Sequence, residues 1–277
     1  MNTTYQPSFL EKLLGKHYKW WYIIIFYFKA QTHYRGNSIM YSLSGLVGFG
    51  ASLLIWFLTT QNSAFFNTKE ILTYLWVGSI YAAMSPIWYS EVLADLIVEG
   101  KLTSKLIKPS SIFWEGVCEF IGRGTLASSA LLNIAPIILL PFIYKYIILP
   151  PDNRLFLLFI SFIPISFIIR FYLDFIFGTF VFWLTSYGGL MAFKDNLYFF
   201  LQGGQIPLSI LALFIPWIVY QPIAFQLHHP MQIYLGKYST LETIYVFLGG
   251  IGWCICLYIL AKFMFKLGLK RYESVAL

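Results

Sequence analysis

The sequence predicts an all-α polytopic membrane protein with six transmembrane helices, and three observations predict it. Of 277 residues, 58% are hydrophobic, 20% are aromatic and only 11% are charged, less than half of the about 25% charge that coats a soluble domain. Apolar runs recur at close to the roughly 20 residues that a bilayer-crossing helix needs. Lys and Arg gather in alternate connections between those runs, as they do where a membrane sorts charge by side.

Taken in order, the first run covers roughly 38–58 (SIMYSLSGLVGFGASLLIWFL) and the second roughly 71–90, after the polar stretch TTQNSAFFNTKE. The glycines of GLVGFGAS, 45–52, predict close helix packing in the first span. The third span covers roughly 120–145 and stops before the turn Pro150-Pro151-Asp152. The fourth occupies roughly 155–185, the fifth 190–206 and the sixth 241–265, with a proline-punctuated stretch before the last. Residues 8–35 mix Lys and His with Trp20, Trp21 and other aromatics, a composition that suits a helix lying in the headgroup plane. A further span is the alternative reading there.

The connection between the fourth and fifth spans has two readings. TSYGGLMAFKDN, 185–196, carries Gly188-Gly189 and polar residues, a turn signal that favours this segment. The alternative turn lies near Arg170. With the first reading the fourth helix is long and sets Arg170 and Asp174 at i and i+4, on one face. They either neutralise each other or line a path.

Charge then orients the chain. With the N-terminus inside, inner segments hold Lys12, Lys16, Lys19, Lys29 and Arg35, then Lys101, Lys105, Lys108 and Arg123, then Lys262, Lys266, Lys270 and Arg271. Outer loops hold only Lys69, Lys145, Arg154 and Lys237. Both termini are expected in the cytoplasm of a cell whose inner (plasma) membrane the protein crosses. The net charge of +7 therefore speaks to orientation, and no nucleic-acid partner is expected. No cleavable signal peptide is expected, because Glu11, Lys12, Lys16 and Lys19 interrupt the first twenty residues.

Chemistry is sparse. Cys118, Cys254 and Cys256 lie in apolar stretches and form no metal-binding spacing. A phosphate-cradling loop needs Gly-x-x-x-x-Gly-Lys-Ser/Thr; before Gly100-Lys101 the first Gly is replaced by Asp95, and Leu102 follows the Lys. His228 and His229 are adjacent, with no acid near in sequence. Glu115, Glu119 and Arg123 recur every fourth residue and form one polar strip, either a salt-bridged helix end or a contact along a path. No catalytic residue, metal site or bound cofactor is expected.

The polar segment DLIVEGKLTSKLIKPSSIFW, 95–114, stands out because so greasy a chain spends Asp95, Glu99, Lys101, Lys105 and Lys108 on it. Leu93, Leu96, Ile97, Leu102, Leu106 and Ile107 interleave with those charges, Gly100 breaks the pattern and Pro109 stops it. The segment reads as an amphipathic helix broken at Gly100 that either lies on anionic lipid or docks a protein partner.

Gly100, Leu102, Leu106, Pro109 and Ser111 resemble the Gly-x-Leu-x-x-x-Leu-x-x-Pro-x-Ser pattern of ABC-2-type permeases, the membrane subunits of ABC exporters. FFLQGGQIPLSILALFIPWIVYQPIAF, 199–225, is similar to that family's Gly-x-x-x-Pro-Leu and Pro-Trp stretch through Gly203, Pro207, Leu208, Pro216, Trp217 and Pro222. FVFWL, 180–184, resembles the Phe-Trp of its fourth span.

The resemblance covers nearly the whole chain and points to the small bacterial single-domain branch. It implies a single transmembrane domain, 1–277, with an interfacial elbow helix at 8–35, a cytoplasmic coupling helix at 92–112 and an outer re-entrant segment at 207–235. Asp95, Glu99, Gly100, Lys101, Leu102, Leu106, Lys108 and Pro109 are then the residues coupled to separate ATPase subunits. Gly203, Gly204, Pro207, Pro216, Trp217 and Pro222 form an exit gate, and irregular backbone of that kind is tolerated at membrane depth only under cover of protein or water. Arg170, Asp174, Glu115 and Glu119 are candidates for the path. The implied partners are ABC ATPase subunits carrying ATP–Mg, a second permease chain (the same or a sister), and lipid. The implied cargo is a small amphiphilic or cationic compound, a drug or a lipid-like solute, moved outward. An ATP-independent channel or a scaffold is the alternative.

Overall fold

A computed structural model of the chain describes residues 18–33, 35–61, 63, 66–84, 89–107, 111–123, 134–184 and 186–275. Of these, 83% are helical, and no strand occurs among them. Asn153–Trp183 and Thr240–Tyr272 are each long and apolar enough to cross a membrane, with mean hydropathies of 2.2 and 2.1. Leu46–Thr60 and Ala135–Tyr146 are shorter apolar stretches.

Helix α1, Tyr18–His33, lies against α6, Ile112–Glu119. Trp20 meets Trp114 with ring centroids 6.5 Å apart. The part of the expected interfacial helix before Tyr18 lies outside the described residues. Helix α2, Arg35–Thr60, packs on α3, Thr68–Ala83, and on α7, Ile134–Ile143. The expected close packing at the α2 glycines is not met at Gly48, where an added Cβ would find no atom within 4 Å; at Gly50 it would meet only Leu139, at 3.8 Å. That face of α2 is open in the isolated chain.

The expected second span is two helices. α3 ends at Ala83 and α4 runs Tyr89–Val98, with 85–88 between them outside the described residues. The range 92–112 accordingly divides among α4, the five-residue α5 (Leu102–Leu106) and the start of α6. Of the third span, the structure describes α6, a π-helical turn over 120–123, and then α7, in which Pro141 sits inside the helix.

Helix α8, Asn153–Ser161, and helix α9, Ile163–Thr179, form the expected fourth span with a break at Phe162. Asp152 caps α8 by accepting from the Arg154 amide at 3.2 Å. Pro164, near the start of α9, has no N–H for the turn below it, which is where such a break belongs. α9 is the centre of the molecule: α4, α13 (Thr240–Val275) and the turn Pro222–Gln226 all pack on it. Aromatic rings crowd around it, with Phe113 of α6 stacked on Phe175 at 4.3 Å and Phe265 of α13 edge-on to Phe175 at 5.4 Å. Lipid supplies no hydrophobic drive between helices, so such close contacts hold the bundle together.

The connection after α9 corrects one expectation. α10 starts at Gly188 and runs to Leu201, so Lys194, Asp195 and Asn196 are helical and do not belong to a turn; residue 185 lies outside the described residues. Gly188 and Gly189 begin a helix rather than form the turn. Beyond α10, short helical pieces replace one another at each proline: α11 (Leu208–Leu211) after Pro207, then 3-10 turns starting at Pro216 and Pro222. Helix α12, His228–Tyr234, is buried along its whole length and packs on α8.

Contacts define two ends of the bundle. At one, Tyr272 of α13 reaches Thr103, and Phe182 lies against Gly268. At the other, Lys237 pairs with Glu70 at 2.7 Å and Gly236 sits beside Pro151.

Candidate functional site

The first candidate is the turn joining α4 to α5. Leu93, Ala94 and Ile97 bury one face of α4 against α9, which leaves Asp95, Val98 and Glu99 exposed on the other. Gly100 then takes φ +71°, a left-handed angle that a residue with a Cβ adopts only at a cost. Leu102 is fully buried and anchors α5, whereas Leu106 and Ile107 are exposed. Lys101 meets Glu99 at 2.5 Å with both side chains more than half exposed, a pair that adds little to stability. The Tyr187 hydroxyl donates to Asp95, whose carboxylate holds the phenol above its ordinary pKa. Thr103 meets Tyr272 at 3.4 Å, and Lys105 pairs with Glu115 of α6. The turn is thus exposed at its tip and tied beneath to three other elements. Lys108 and Pro109 lie outside the described residues.

The second candidate is a buried polar cluster around α9. Arg170, Asp174 and Lys194 are all at 1% exposure or less. The Arg170 guanidinium donates from Nη1 to Gln226 Oε1 at 2.7 Å and stands 3.7 Å from the ring centroid of Tyr198, a cation–π contact. Its Nε is 3.9 Å from Asp174 Oδ1. Among the described residues, neither Asp174 carboxylate oxygen has a hydrogen-bond partner of ordinary geometry. On α10, Lys194 donates to Ser90 of α4 at 2.6 Å and lies 3.4 Å from Asp195. Buried charge is expensive unless it is paired, and inside a membrane it is retained chiefly where it acts. The cluster pins α4, α9, α10 and the turn Pro222–Gln226 to one another. Glu115 and Glu119 are not part of it; they pair with Lys105 and Arg123, the latter at 3.3 Å.

The third candidate is the Gly-Pro segment. Gly203 has φ +83°, and a Cβ there would lie 2.8 Å from the Tyr74 hydroxyl and 2.9 Å from Leu208 Cγ, so only glycine fits. Gly204 lies beside Leu227 and Gln202. Pro207, Pro216 and Pro222 each open a helical piece, and Trp217 is 70% exposed. Side chains fasten the irregular backbone. Gln221 donates to Leu201 O at 2.7 Å and accepts from Ile223 N, and Trp253 donates to Tyr220 O at 3.0 Å. His229 bridges Val219 O and the Tyr238 hydroxyl, each at 2.8 Å.

Sequence reasoning finds Arg170 with Asp174 but misses Ser90, Lys194, Tyr198, Gln226 and Tyr187. A signal existed for two of them: once a helix starts at Gly188, Lys194 and Tyr198 fall at i and i+4 on one face.

Residues 46–276 match the profile of the family described as ABC-2 family transporter protein. No curated protein and no solved structure is significantly similar to the chain. With most of its length matched, and with the membrane-length helices described above, the chain belongs to the ABC-2 family of transporter proteins, as a permease subunit of an ABC transporter.

Proposed function

We propose that this subunit is the non-catalytic half of an exporter, in which separate ATPase subunits grip the Glu99–Lys101 turn and drive an amphiphilic solute outward across a bacterial inner membrane. In this reading six spans cross the bilayer with both termini in the cytoplasm. A second permease chain completes the path, and the segment 207–235 is the outer gate. ATP–Mg binds to the ATPases, and this chain's own part is mechanical. A push on the exposed turn moves α4, which carries Ser90. Ser90 holds Lys194, Lys194 acts on Asp174 by its charge alone, and Asp174, Arg170 and Gln226 then lead to the turn that leaves the Gly-Pro segment. That run of buried polar groups, from the element bearing the exposed turn to the element bearing the proposed gate, is the observation that supports the reading most.

The test is co-purification and transport in reconstituted vesicles. Gly100→Pro cannot adopt the φ of +71° that the turn uses, and the double reversal Glu99→Lys with Lys101→Glu inverts the tip charges. Each is expected to insert normally and to lose ATP-driven transport. Normal export together with normal ATPase association in both variants removes the docking assignment. Transport by the isolated chain without nucleotide favours a channel instead.

A further inference from the structure

A cavity of about 310 Å3 opens among α2, α3, α7 and the loop that follows α10, at the lower end of the roughly 300–1,000 Å3 range of small-molecule sites. Phe49, Leu75 and Phe199 make apolar walls, and Ser79, Gln202 and Gln205 supply polar groups. No acid, base or histidine lines it among the described residues. Gln205 is held from two sides: its Oε1 accepts from Ser52 at 3.2 Å, and its backbone carbonyl accepts from Trp56 Nε1 at 2.8 Å. Its amide nitrogen is left to donate to an occupant. Gly204 lies on the same wall, so the cavity abuts the Gly-Pro segment.

We infer that this cavity is a binding site for a neutral amphiphile: one alkyl chain or a small ring system with an amide, ester or hydroxyl head. The lining decides the class. A cation would leave water for a site with no carboxylate among its described lining residues to pair with it, an unfavourable transfer. A neutral head keeps its hydrogen bonds with Gln202, Gln205 and Ser79, while its tail meets the aromatic walls. The cavity volume suits one alkyl chain or a small ring system, the size class proposed. As the identity of the cargo this rests on the permease reading, and it narrows the amphiphilic or cationic range to the neutral part. Binding itself needs no ATPase.

The experiment uses the full chain in lipid nanodiscs and a photoreactive diazirine analogue of decanamide, with peptide mapping. Saturable labelling is expected on the peptides containing Leu75 and Phe199. Unlabelled decanamide should displace it at a concentration at least about tenfold lower than decyltrimethylammonium does, given the cost of an unpaired cation. Ala82→Phe, which fills the cavity from α3, should abolish the saturable component. Gln202→Leu, close in volume, should weaken it while leaving the melting temperature unchanged, and it serves as the decisive variant if Ala82→Phe fails to fold. Three results overturn the inference: labelling that never saturates and spreads along the exposed face of α13, equal or better displacement by the cation, or full saturable labelling of Gln202→Leu. Loss of ATPase association alone would leave the labelling intact, so failure of the permease reading and failure of this site are told apart.

Discussion

Gly100 and Gly203 adopt nearly the same left-handed backbone, +71° and +83°, in opposite surroundings. Around Gly100 there is open space, with the nearest atom, the Tyr272 hydroxyl, 4.0 Å from a Cβ placed there. Gly100→Ala therefore carries only the conformational cost, about 1–2 kcal/mol. Gly203→Ala adds collisions with Tyr74 and Leu208 worth about 1–3 kcal/mol more. Thermal unfolding of the solubilised protein should rank Gly203→Ala well below Gly100→Ala, and the reverse order would contradict the packing at Gly203. The Arg170–Asp174 pair permits a sharper measurement. Removing one partner strands the other charge, so Arg170→Met and Asp174→Leu should each destabilise by about 3–5 kcal/mol. The double variant should cost clearly less than the sum of the two; additivity would mean that the two residues do not sense each other across the 3.9 Å that separates them. The pairing of these two was legible in the sequence, because i and i+4 share a helix face whatever surrounds the helix. Gln226, 56 residues away, was not, because only the tertiary fold brings it to Arg170.

Among the elements, the contact between α4 and α9 carries the coupling role proposed here, and Gly178 sets its distance. A Cβ on Gly178 would sit 3.0 Å from Leu93 Cβ and 3.1 Å from Ser90 O, so the two helices touch backbone to backbone in the manner that small residues permit between membrane helices. Gly178→Ala is expected to push α4 outward by a few tenths of an ångström, to lower stability by about 1–3 kcal/mol, and to reduce transport per ATP hydrolysed in the reconstituted complex. Unchanged stoichiometry would show that α4 need not ride on α9. The breaks between elements were partly legible. The break at Gly100 and the starts at Pro207, Pro216 and Pro222 follow from backbone chemistry alone. The turn after α9 was misplaced, because a glycine pair signals a turn equally well from inside it or from the first turn of the helix beyond. Taking Lys194 for a turn residue hid it, since a lysine at such depth is intelligible only when Ser90 and Asp195 are seen beside it.

For the whole molecule, the two ends carry different charge, and the difference makes side of the membrane a measurable property. One end holds the Glu99–Lys101 turn against the last turns of α13, where Lys266, Lys270 and Arg271 lie. The other gathers Glu70, Lys237, Asp152 and Arg154 around Pro151 and Gly236. Cationic residues near span ends stay on the cytoplasmic side, because carrying them across is costly and the bias sets orientation. The first end has the larger cationic share and should face the cytoplasm. Single cysteines at Lys101 and Arg154, in a chain with Cys118, Cys254 and Cys256 replaced by serine, convert this into an observation. Arg154→Cys should react with a membrane-impermeant maleimide in cells whose inner membrane is intact, and Lys101→Cys only after that membrane is opened. The opposite pattern would put the coupling turn where no cytoplasmic ATPase reaches it, and labelling of both from outside would mean that α9 and α13 do not cross the bilayer as the bundle arranges them. This outcome bears on every role proposed for the buried cluster, because a polar relay between the turn and the Gly-Pro segment transmits work across a membrane only if its two ends lie on opposite sides.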